Sequence, residues 1–375
     1  MIFSIKRKLI NLGLIVVSSI ITLLFFEVVL RCVNPHNQYL TKVPVELDRS
    51  NKFYQFFNID SVYHYSVNEF GYRSPSLFSK DRYGIMTIGG STTECLGLDD
   101  VETWPWLLEG HLKKSSLNQN FTVGNVGVTA FNSFHHVLQV KNLEPQFENI
   151  KMILLLVGIN DFGRSLYLSE DKLIPDEKEL LHQSFVRHPR EMNEKWYQRT
   201  ELWSYLRDAV NFLRNINEIE HQKLKLYDIL EKYKVAEKKT VLPDLQLQMK
   251  LINDNILTIN KYCKERDIKL VVMTQPVLWH ANMTEEETRI SCYGVPNIEG
   301  KVYTNEAMAK GMDAFNQNML KMADENNIDA IDLAKYFPKT TEVFFDFCHY
   351  TKKGSSLVSD IVFKRVNEML ENEKE

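Results

Sequence analysis

The sequence predicts an α/β domain built around a parallel sheet. Apolar segments of strand length at residues 85–88, 121–128 and 152–157 each run into a loop of glycine and polar residues. Segments with helical spacing follow the first two loops, at residues 104–112 and 134–140. Repeated strand, loop and helix order is typical of parallel α/β sheets, whose loops collect at one edge. Ligands bind beyond the carboxyl ends of the strands, so polar residues in these loops are candidates for chemistry.

Composition restricts the classes of function. The chain has 375 residues, is 44% hydrophobic and carries a net charge of -4, which fits one large domain, or one domain with an insertion. It shows no basic block and no interleaving of aromatic with basic residues, so we do not expect a nucleic-acid partner. The oligomeric state is not predictable from these features.

Five cysteines lie at positions 32, 95, 263, 292 and 348 without a paired metal-ligand spacing. We therefore expect no zinc site, and no cofactor is predicted. In an oxidising compartment Cys263 and Cys292 are candidates for a disulfide, although nothing in the sequence fixes a pair.

The N-terminus carries an apolar segment that is long enough to span a membrane. Residues 9–30 are predominantly apolar and, at about 1.5 Å per helical residue, cross a hydrocarbon core of roughly 30 Å. Because Lys6, Arg7 and Lys8 precede this segment, residues 1–8 are expected in the cytoplasm and the rest in the periplasm, cell exterior or a lumen. A cleaved signal peptide is the alternative, but bulky and charged residues follow the apolar stretch instead of small ones.

Two further regions flank or interrupt the α/β pattern. Residues 31–80 are aromatic and polar without a sustained period, which predicts a stalk followed by an N-terminal extension. Within them, residues 68–75 place a turn glycine between aromatic residues and are expected to pack on the domain. Residues 166–240 are charged with helical spacing and predict an inserted helical cap. Four of its side chains are candidates for substrate contact: His182, His188, Trp196 and Arg199.

The α/β pattern resumes after the insertion and continues to the C-terminus. A strand is predicted at residues 269–273 and another at 330–333. The predicted helices lie at residues 245–264, 305–326 and 356–370. Residues 81–375 are therefore expected to form one domain that contains the insertion.

Three residues supply the parts of a serine nucleophile. Ser91 follows the strand at 85–88 after the two glycines 89 and 90, and Asp346 precedes His349 by three residues in a loop near the C-terminus. A serine hydroxyl needs a base to take its proton, and an imidazole held by a carboxylate is the usual solution. The transition state also needs donors for the substrate oxygen. Candidates are the backbone N–H of Ser91, a backbone N–H of the loop around Ala130 and the side-chain amide of Asn160.

These residues resemble the SGNH, or GDSL-type, hydrolases. Four blocks occur in the order found in that family: Gly89-Gly90-Ser91, residues 125–133, Gly158-Ile159-Asn160-Asp161, and Asp346-x-x-His349. The resemblance implies a flavodoxin-like three-layer α/β/α fold with a parallel sheet. It also implies Ser91 as nucleophile, His349 as base, Asp346 as the residue that orients it, and Asn160 in the oxyanion hole. The anchor and residues 68–75 look like those of membrane-tethered members.

The chain departs from the family pattern at two positions. Gly90 stands where the first block commonly has aspartate, as in a GGST-type subset. Ala130 aligns with the glycine of the second block, and Gly127 lies three residues earlier. At a negative φ, Ala130 donates its N–H as well as glycine would, but at a positive φ the site is strained by roughly 1 kcal/mol or more. We take Ala130 as the expected donor and Gly127 as the fallback.

The sequence therefore predicts a membrane-anchored serine esterase that works through an acyl-enzyme. The resemblance suggests ester-bearing carbohydrate or lipid substrates, with short acyl groups such as acetyl. An O-acyltransferase acting on cell-envelope glycans would use the same residues with a sugar hydroxyl in place of water. A non-catalytic glycan-binding or structural protein is the remaining alternative.

Overall fold

The computed structural model of the protein divides the chain into two compact units. The first comprises Met1–Tyr39 and Arg187–Gln222, and the second comprises Leu40–Val186 and Lys223–Glu375. The structure describes residues 2–33, 39–42, 44–50, 59–117, 119–185, 197, 200–203, 206, 210, 229–295, 297–298 and 300–372.

Helix α1 (Ile2–Val33) belongs to the first unit and contains the predicted apolar span. Its segment Ile10–Val33 has 24 residues and is long and apolar enough to cross a membrane, a property that it shares with signal sequences. The acidic residue of this segment, Glu27, is paired: Arg31 Nε donates to one carboxylate oxygen at 2.6 Å and the backbone N–H of Leu202 to the other at 3.2 Å. The charge is thus neutralised within its own unit.

The second unit contains β-strands and α-helices in alternation. Its strands are β1 (Val45–Ser50), β2 (Val62–Val67), β3 (Tyr83–Gly89), β4 (Phe121–Asn125), β5 (Ile150–Leu156), β6 (Glu237–Lys239), β7 (Lys269–Met273), β8 (Asn297–Ile298), β9 (Lys301–Tyr303) and β10 (Asp329–Ile331). Its helices are α2 (Ser91–Glu94), α3 (Trp104–Lys114), α4 (Ser133–Leu143), α5 (Ile159–Tyr167), α6 (Glu177–Ser184), α7 (Gln246–Lys264), α8 (Glu285–Ser291), α9 (Asn305–Glu325), α10 (Leu333–Tyr336) and α11 (Lys352–Asn372).

Five strands form one parallel sheet in the order β4-β3-β5-β7-β10. Taken in chain order among themselves these strands are arranged 2-1-3-4-5, which is the flavodoxin-like order. Helices α3 and α11 share a hydrophobic core with one face of the sheet. Alternate strand residues such as Ile153 and Leu155 point to the other face, on the side of α4, α7 and α9. The predicted three-layer α/β/α fold is confirmed.

The central strand β5 shows why the prediction of a parallel sheet succeeded. Its residues are apolar without alternation, and all but Lys151 are buried, because helices cover both faces of the sheet. Burial of each Ile, Leu or Met side chain contributes roughly 1.5–3 kcal/mol before the loss of chain entropy is counted.

The sheet order reverses between β3 and β5, which places two candidate loops side by side. Gly89 at the end of β3 pairs with Leu156 at the end of β5. A crevice forms where neighbouring strands lead their connections in opposite directions, and ligands bind there in open α/β sheets. The loops that follow these two strands carry Ser91 and Asn160.

Residues 40–80 belong to the same compact unit as the parallel sheet. Strands β1 and β2 pair antiparallel, with Val45 opposite Val67. Tyr63, Tyr65 and Val67 alternate as the buried positions of β2, which is a period-two pattern typical of a strand, although we predicted no strand in this region. The prediction that residues 68–75 pack on the domain is confirmed.

The described residues of the insertion at 166–240 include both helix and strand. It contains α6, but it ends in strand β6, which pairs parallel with β9 in a small three-stranded sheet with β8. Most of residues 186–228 lie outside the described residues, and so do His188, Trp196, Arg199 and the side chain of His182.

The cysteines form no disulfide among the described residues, and the neighbouring residues His135 and His136 are part of the core. All five cysteines are free, so the disulfide considered between Cys263 and Cys292 is not formed. His135 and His136 are buried, and burial lowers their pKa values to about 3 and about 4, so both rings are neutral. His136 bonds Gln139 at 2.9 Å, which holds its ring in the core.

Arg73 ties the N-terminal extension to the domain through a buried ionic network. Its side chain is 2% exposed, and Nε donates to Asp100 Oδ1 at 2.8 Å. Its Nη1 donates at 2.7 Å to the carbonyl oxygen of Glu94, the last residue of α2. The backbone of Arg73 also exchanges two hydrogen bonds with Asn125 on the edge strand β4. The extension is therefore an integral part of the fold.

Substitution Arg73→Ala should lower the free energy of unfolding by about 3–5 kcal/mol, because it leaves the buried carboxylate of Asp100 without its cation. The matched control is Arg365→Ala, which removes an exposed arginine that pairs with Glu368 on α11 and should cost less than about 0.5 kcal/mol. Urea unfolding of the detergent-solubilised full chain, followed by tryptophan fluorescence, measures both. Equal small losses would contradict a structural role for the network.

Candidate active site

Ser91 is the first residue of α2, and one residue separates it from the end of β3. Gly90 between them lies against the side chain of Asn160: a Cβ at position 90 would be 2.5 Å from Asn160 Nδ2. Glycine permits this close approach, and an aspartate there would collide with the amide as it stands. Ser91 therefore follows a residue that is in close contact with the Asn160 amide.

Ser91, His349 and Asp346 lie in direct contact. His349 Nε2 is 2.6 Å from Ser91 Oγ, and His349 Nδ1 is 2.5 Å from Asp346 Oδ2. The serine follows β3, whereas the other two residues belong to the loop between α10 and α11. The fold therefore brings together groups that are 258 positions apart in the chain.

The Asp346 carboxylate is fixed by its own loop. Its side chain is 1% exposed, and Oδ1 accepts the backbone N–H groups of Cys348 at 2.8 Å and His349 at 2.7 Å. Hydrogen bonds of this kind favour the ionised form of the carboxyl group. The loop thus holds a carboxylate in line with the imidazole.

The charge of Asp346 controls the titration of His349. Burial alone would lower the pKa of the imidazole, but the carboxylate beside Nδ1 outweighs burial and raises the pKa above its usual value. With Nδ1–H donated to Asp346, Nε2 of the neutral ring faces the serine hydroxyl as an acceptor. The arrangement can therefore remove the proton of Ser91.

Two of the predicted oxyanion donors, the Ser91 backbone N–H and the Asn160 amide, can offer a hydrogen to a ligand. The backbone N–H of Ser91 is at the first position of a helix, where it has no intrahelical acceptor. Asn160 Nδ2 donates to the carbonyl oxygen of Phe131 at 2.7 Å, and an amide nitrogen carries a second hydrogen that can be donated to a ligand. The same bond holds the Asn160 amide beside the loop that contains Ala130.

Ala130 has φ +66°, so the strained alternative considered for this position is the one that occurs. An alanine in the left-handed region costs roughly 1–2 kcal/mol relative to its ordinary conformation. The surrounding loop must compensate for this cost, because the conformation would otherwise relax.

Gly127 does not fit the role of a fallback donor. Its N–H is donated to Asn125 Oδ1 at 3.0 Å, within its own loop. A Cβ at position 127 would lie 2.4 Å from the backbone nitrogen of Glu94 and 2.7 Å from the backbone carbon of Thr93. The glycine therefore allows the loop to pack directly on α2, which is a structural contribution.

Glu94 joins the serine helix to the strained loop, a role that no motif in the sequence indicates. Its Oε2 accepts both the backbone N–H of Thr129 at 2.6 Å and the Thr129 hydroxyl at 2.8 Å. Its Oε1 accepts from Tyr65 Oη at 2.8 Å and lies 3.4 Å from Lys42 Nζ. Burial would raise the pKa of Glu94, but the Lys42 ammonium and these hydrogen bonds hold it below its usual value.

Asp161 fixes the other side of the same loop. Its carboxylate is fully buried and accepts the backbone N–H of Ser133 at 3.0 Å and the Ser133 hydroxyl at 2.5 Å. Burial raises its pKa to about 6. Because Asp161 is adjacent to Asn160 in α5, this contact sets the distance between the Asn160 amide and the Ala130 loop.

Gln275 connects the serine helix to the histidine loop. It follows β7, and its Oε1 accepts from the hydroxyl of Thr92 at 3.1 Å. Its Nε2 donates to Tyr350 Oη at 3.4 Å, next to His349. The loop after β7 thus links the helix that carries Ser91 to the loop that carries His349.

One group of side chains in the site has the composition of a metal site. Ligand atoms of Asp346, Cys348 and His349 lie within 4.8 Å of one another. Burial raises the pKa of the Cys348 thiol well above its usual value, which disfavours the thiolate that a metal would bind. Both carboxylate oxygens of Asp346 already accept hydrogen bonds. The contacts of these residues fit an imidazole held by a carboxylate better than a metal site.

Comparisons with known proteins found no matching family model and no matching curated protein. The chain is similar to the solved structure of Axe2, an acetylxylan esterase from Geobacillus stearothermophilus, with 11% identity, a TM-score of 0.43, and coverage of 77% of this chain and 96% of that chain. It is also similar to a candidate lipolytic protein of the G-D-S-L family from Desulfitobacterium hafniense, with 9% identity, a TM-score of 0.39, and coverage of 76% and 99%. A candidate acylhydrolase from Bacteroides fragilis has 12% identity, a TM-score of 0.41, and coverage of 79% and 91%.

The G-D-S-L family named in one of these comparisons is the family that the sequence motifs resemble. Likeness at this level does not carry a substrate, an activity or a residue's role from those proteins to this chain. The chemistry must be argued from the site itself.

The φ of Ala130 gives a test of the loop. Substitution Ala130→Gly should leave the free energy of unfolding unchanged or raise it by up to about 1 kcal/mol, because relief of strain exceeds the entropy that glycine adds to the unfolded chain. The control Ala314→Gly, at an exposed site in α9, should cost about 1 kcal/mol. Thermal unfolding measures both, and an equal loss at the two positions would contradict the strained loop.

Proposed function

We propose that this protein is a membrane-anchored serine esterase that cleaves O-acyl esters of carbohydrate or lipid substrates. The proposal rests on the contact of 2.6 Å between Ser91 Oγ and His349 Nε2, with Asp346 bonded to the opposite ring nitrogen. A hydroxyl, an imidazole and a buried carboxylate in this order are the parts that nucleophilic acyl transfer requires.

The first half of the reaction forms an acyl-enzyme. His349 Nε2 takes the proton from Ser91 Oγ while the oxygen attacks the ester carbonyl, which produces a tetrahedral oxyanion. The intermediate collapses as His349 gives this proton to the leaving alcohol, and the acyl group stays on Ser91. Asp346 remains ionised and stabilises the imidazolium that exists between the two transfers.

The second half returns the enzyme to its starting state. His349 takes a proton from water as the water oxygen attacks the acyl-serine carbonyl. Collapse of this second intermediate breaks the bond to Ser91 Oγ, which recovers the proton from His349, and the carboxylic acid leaves. We assign the oxyanion in both halves to the backbone N–H groups of Ser91 and Ala130 and to the Asn160 amide.

We further propose that α1 remains as an uncleaved anchor and that the enzyme works outside the cytoplasm. The apolar segment Ile10–Val33 has the length and composition of a span, and Lys6, Arg7 and Lys8 precede it. Positive residues favour the cytoplasmic side of a membrane. A tethered enzyme would meet esters at the membrane or in the adjoining envelope.

Labelling by a fluorophosphonate probe tests the activated serine directly. The wild-type full chain should label, whereas Ser91→Ala and His349→Ala should not, because the first removes the nucleophile and the second its base. With a short-chain nitrophenyl ester, each substitution should lower kcat by roughly 10⁴- to 10⁶-fold. Asn160→Ala removes one oxyanion donor and should cost about 10²- to 10³-fold in kcat.

Each outcome of this experiment has a clear meaning. Labelling of Ser91→Ala, or no labelling of a folded wild-type protein, would overturn the proposed function and favour a binding role. The control Ser359→Ala removes a buried hydroxyl in α11 that has no hydrogen-bond partner among the described residues, and should keep labelling at Ser91. Product analysis with a sugar acceptor separates hydrolysis from acyl transfer to a hydroxyl.

The raised pKa of His349 predicts the pH dependence of the reaction. The base must be neutral, so kcat/KM should fall as the pH falls through a pKa above 6.5, the usual value from which the Asp346 carboxylate raises it. In Asp346→Asn this carboxylate charge is absent, so the acidic limb should move to lower pH while kcat falls by about 10⁴-fold. If the fall of kcat/KM at low pH occurs at the same pH in Asp346→Asn, the group that titrates is not His349.

A further inference from the structure

A cavity of about 590 Å³ adjoins the candidate oxyanion donors. Ala130 and Asn160 line it, and so does Phe347, two residues before His349. Its volume lies within the range of small-molecule sites. Whatever part of a substrate extends from the scissile carbonyl in this direction enters this space.

The walls of the cavity are mainly aromatic and aliphatic. Trp279 and Phe347 are stacked with their ring centroids 5.1 Å apart, and Phe162 meets Trp279 edge-on. His135 also lines the cavity, stacked on Phe131 at 4.5 Å, and is neutral because burial lowers its pKa to about 3. Among the lining residues that the structure describes, Arg164 alone carries a charge at neutral pH.

Arg164 has no carboxylate partner among the described residues. Its Nη2 donates to the carbonyl oxygens of Leu173 at 2.7 Å and Lys172 at 3.2 Å, and its Nε is buried without a hydrogen-bond acceptor. Asp161, which is near enough to interact electrostatically, directs its carboxylate to Ser133. The carbonyl groups orient the guanidinium but leave its positive charge unneutralised.

The position of Arg164 along α5 relates this charge to the reaction site. Arg164 follows Asn160 by four residues in the same helix, so the two side chains share a face about one turn, or roughly 6 Å, apart. An arginine offers several donors to carboxylate or phosphate oxygens at once. A group bound there would be a few bonds from an ester carbonyl held by the Asn160 amide.

We propose that this cavity binds an anionic group of the ester substrate, a carboxylate or a phosphate, and that Arg164 is the residue that selects it. The inference rests on the proposed esterase function and narrows its substrate class. The aromatic walls would exclude water from the bound anion, which strengthens its interaction with the guanidinium.

Matched neutral and anionic esters test the selection. For the acyl side, we compare 4-nitrophenyl butyrate with the 4-nitrophenyl monoester of succinic acid. For the alcohol side, we compare O-acetyl esters of glucose, glucuronic acid and glucose 6-phosphate. The wild-type full chain should prefer the anionic member of at least one pair, and the preferred pair identifies which side of the ester enters the cavity and which anion it carries.

Substitution Arg164→Gln should reduce the ratio of kcat/KM for the preferred anionic ester to that for its neutral match by about 10- to 100-fold, mainly through KM. Arg164→Lys should recover part of this ratio, since it keeps the charge but loses the forked donors. The matched control Lys141→Gln removes an exposed cation in the last turn of α4 that does not line the cavity, and it should leave the ratio unchanged. High salt should weaken the preference in the wild type.

The outcomes separate this inference from the proposed function. If both the wild type and Arg164→Gln hydrolyse the esters with the same ratio of kcat/KM for the anionic to the neutral ester, the anion site is overturned. The proposed esterase function would still stand. Binding of the anionic ester to Ser91→Ala, measured by calorimetry and lost in Ser91→Ala/Arg164→Gln, supports the anion site even where hydrolysis fails. A purely structural role for Arg164 would lower thermal stability and activity toward both esters alike, without a change in their ratio.

Discussion

The candidate site depends on one constraint, which is that β3 and β5 are neighbours whose carboxyl ends coincide. Gly89 pairs with Leu156, so the residues that follow them must share a small volume. Gly90 has no side chain because the Asn160 amide occupies the space that a Cβ would need. The nucleophile and a candidate oxyanion donor are thus placed by sheet register, and only the histidine loop must be brought in separately. The bonds from Gln275 to Thr92 and Tyr350 attach that loop to the same edge of the sheet.

A second layer of buried polar contacts holds the loops in a conformation that they would not keep alone. Glu94 and Asp161 accept backbone N–H groups on either side of Ala130, at Thr129 and Ser133. Each carboxylate loses hydration on burial, so its hydrogen bonds must be complete to be stabilising. The cation beside Glu94 is Lys42, from the N-terminal extension. The extension therefore contributes to the geometry of the candidate site.

The sequence predicted the parts of the fold in which the local pattern and the final environment agree. Strand β5 is apolar throughout and buried on both faces, and the motif around Ser91 lies where a strand must end. The φ of Ala130 was not predictable, because alanine disfavours the left-handed region and only contacts from Glu94 and Asp161 explain it. Glu94 itself lacks a local signal, since its partners Lys42, Tyr65 and Thr129 lie far from it in the chain. The hairpin of β1 and β2 had a signal, the alternation at Tyr63, Tyr65 and Val67, which the aromatic composition of the region obscured.

The site separates chemistry from recognition along a single helix. In the proposed reaction, the first turn of α5 presents Asn160 to the reacting carbonyl and the next turn presents Arg164 to the cavity. A change at position 164 can therefore alter which ester is held without moving the groups around Ser91, because Asp161 anchors the helix start independently through Ser133. The carbonyl groups that hold Arg164 belong to Lys172 and Leu173, at the beginning of the insertion. If the proposed anion site is correct, the start of the insertion acts on substrate selection through the orientation of this cation.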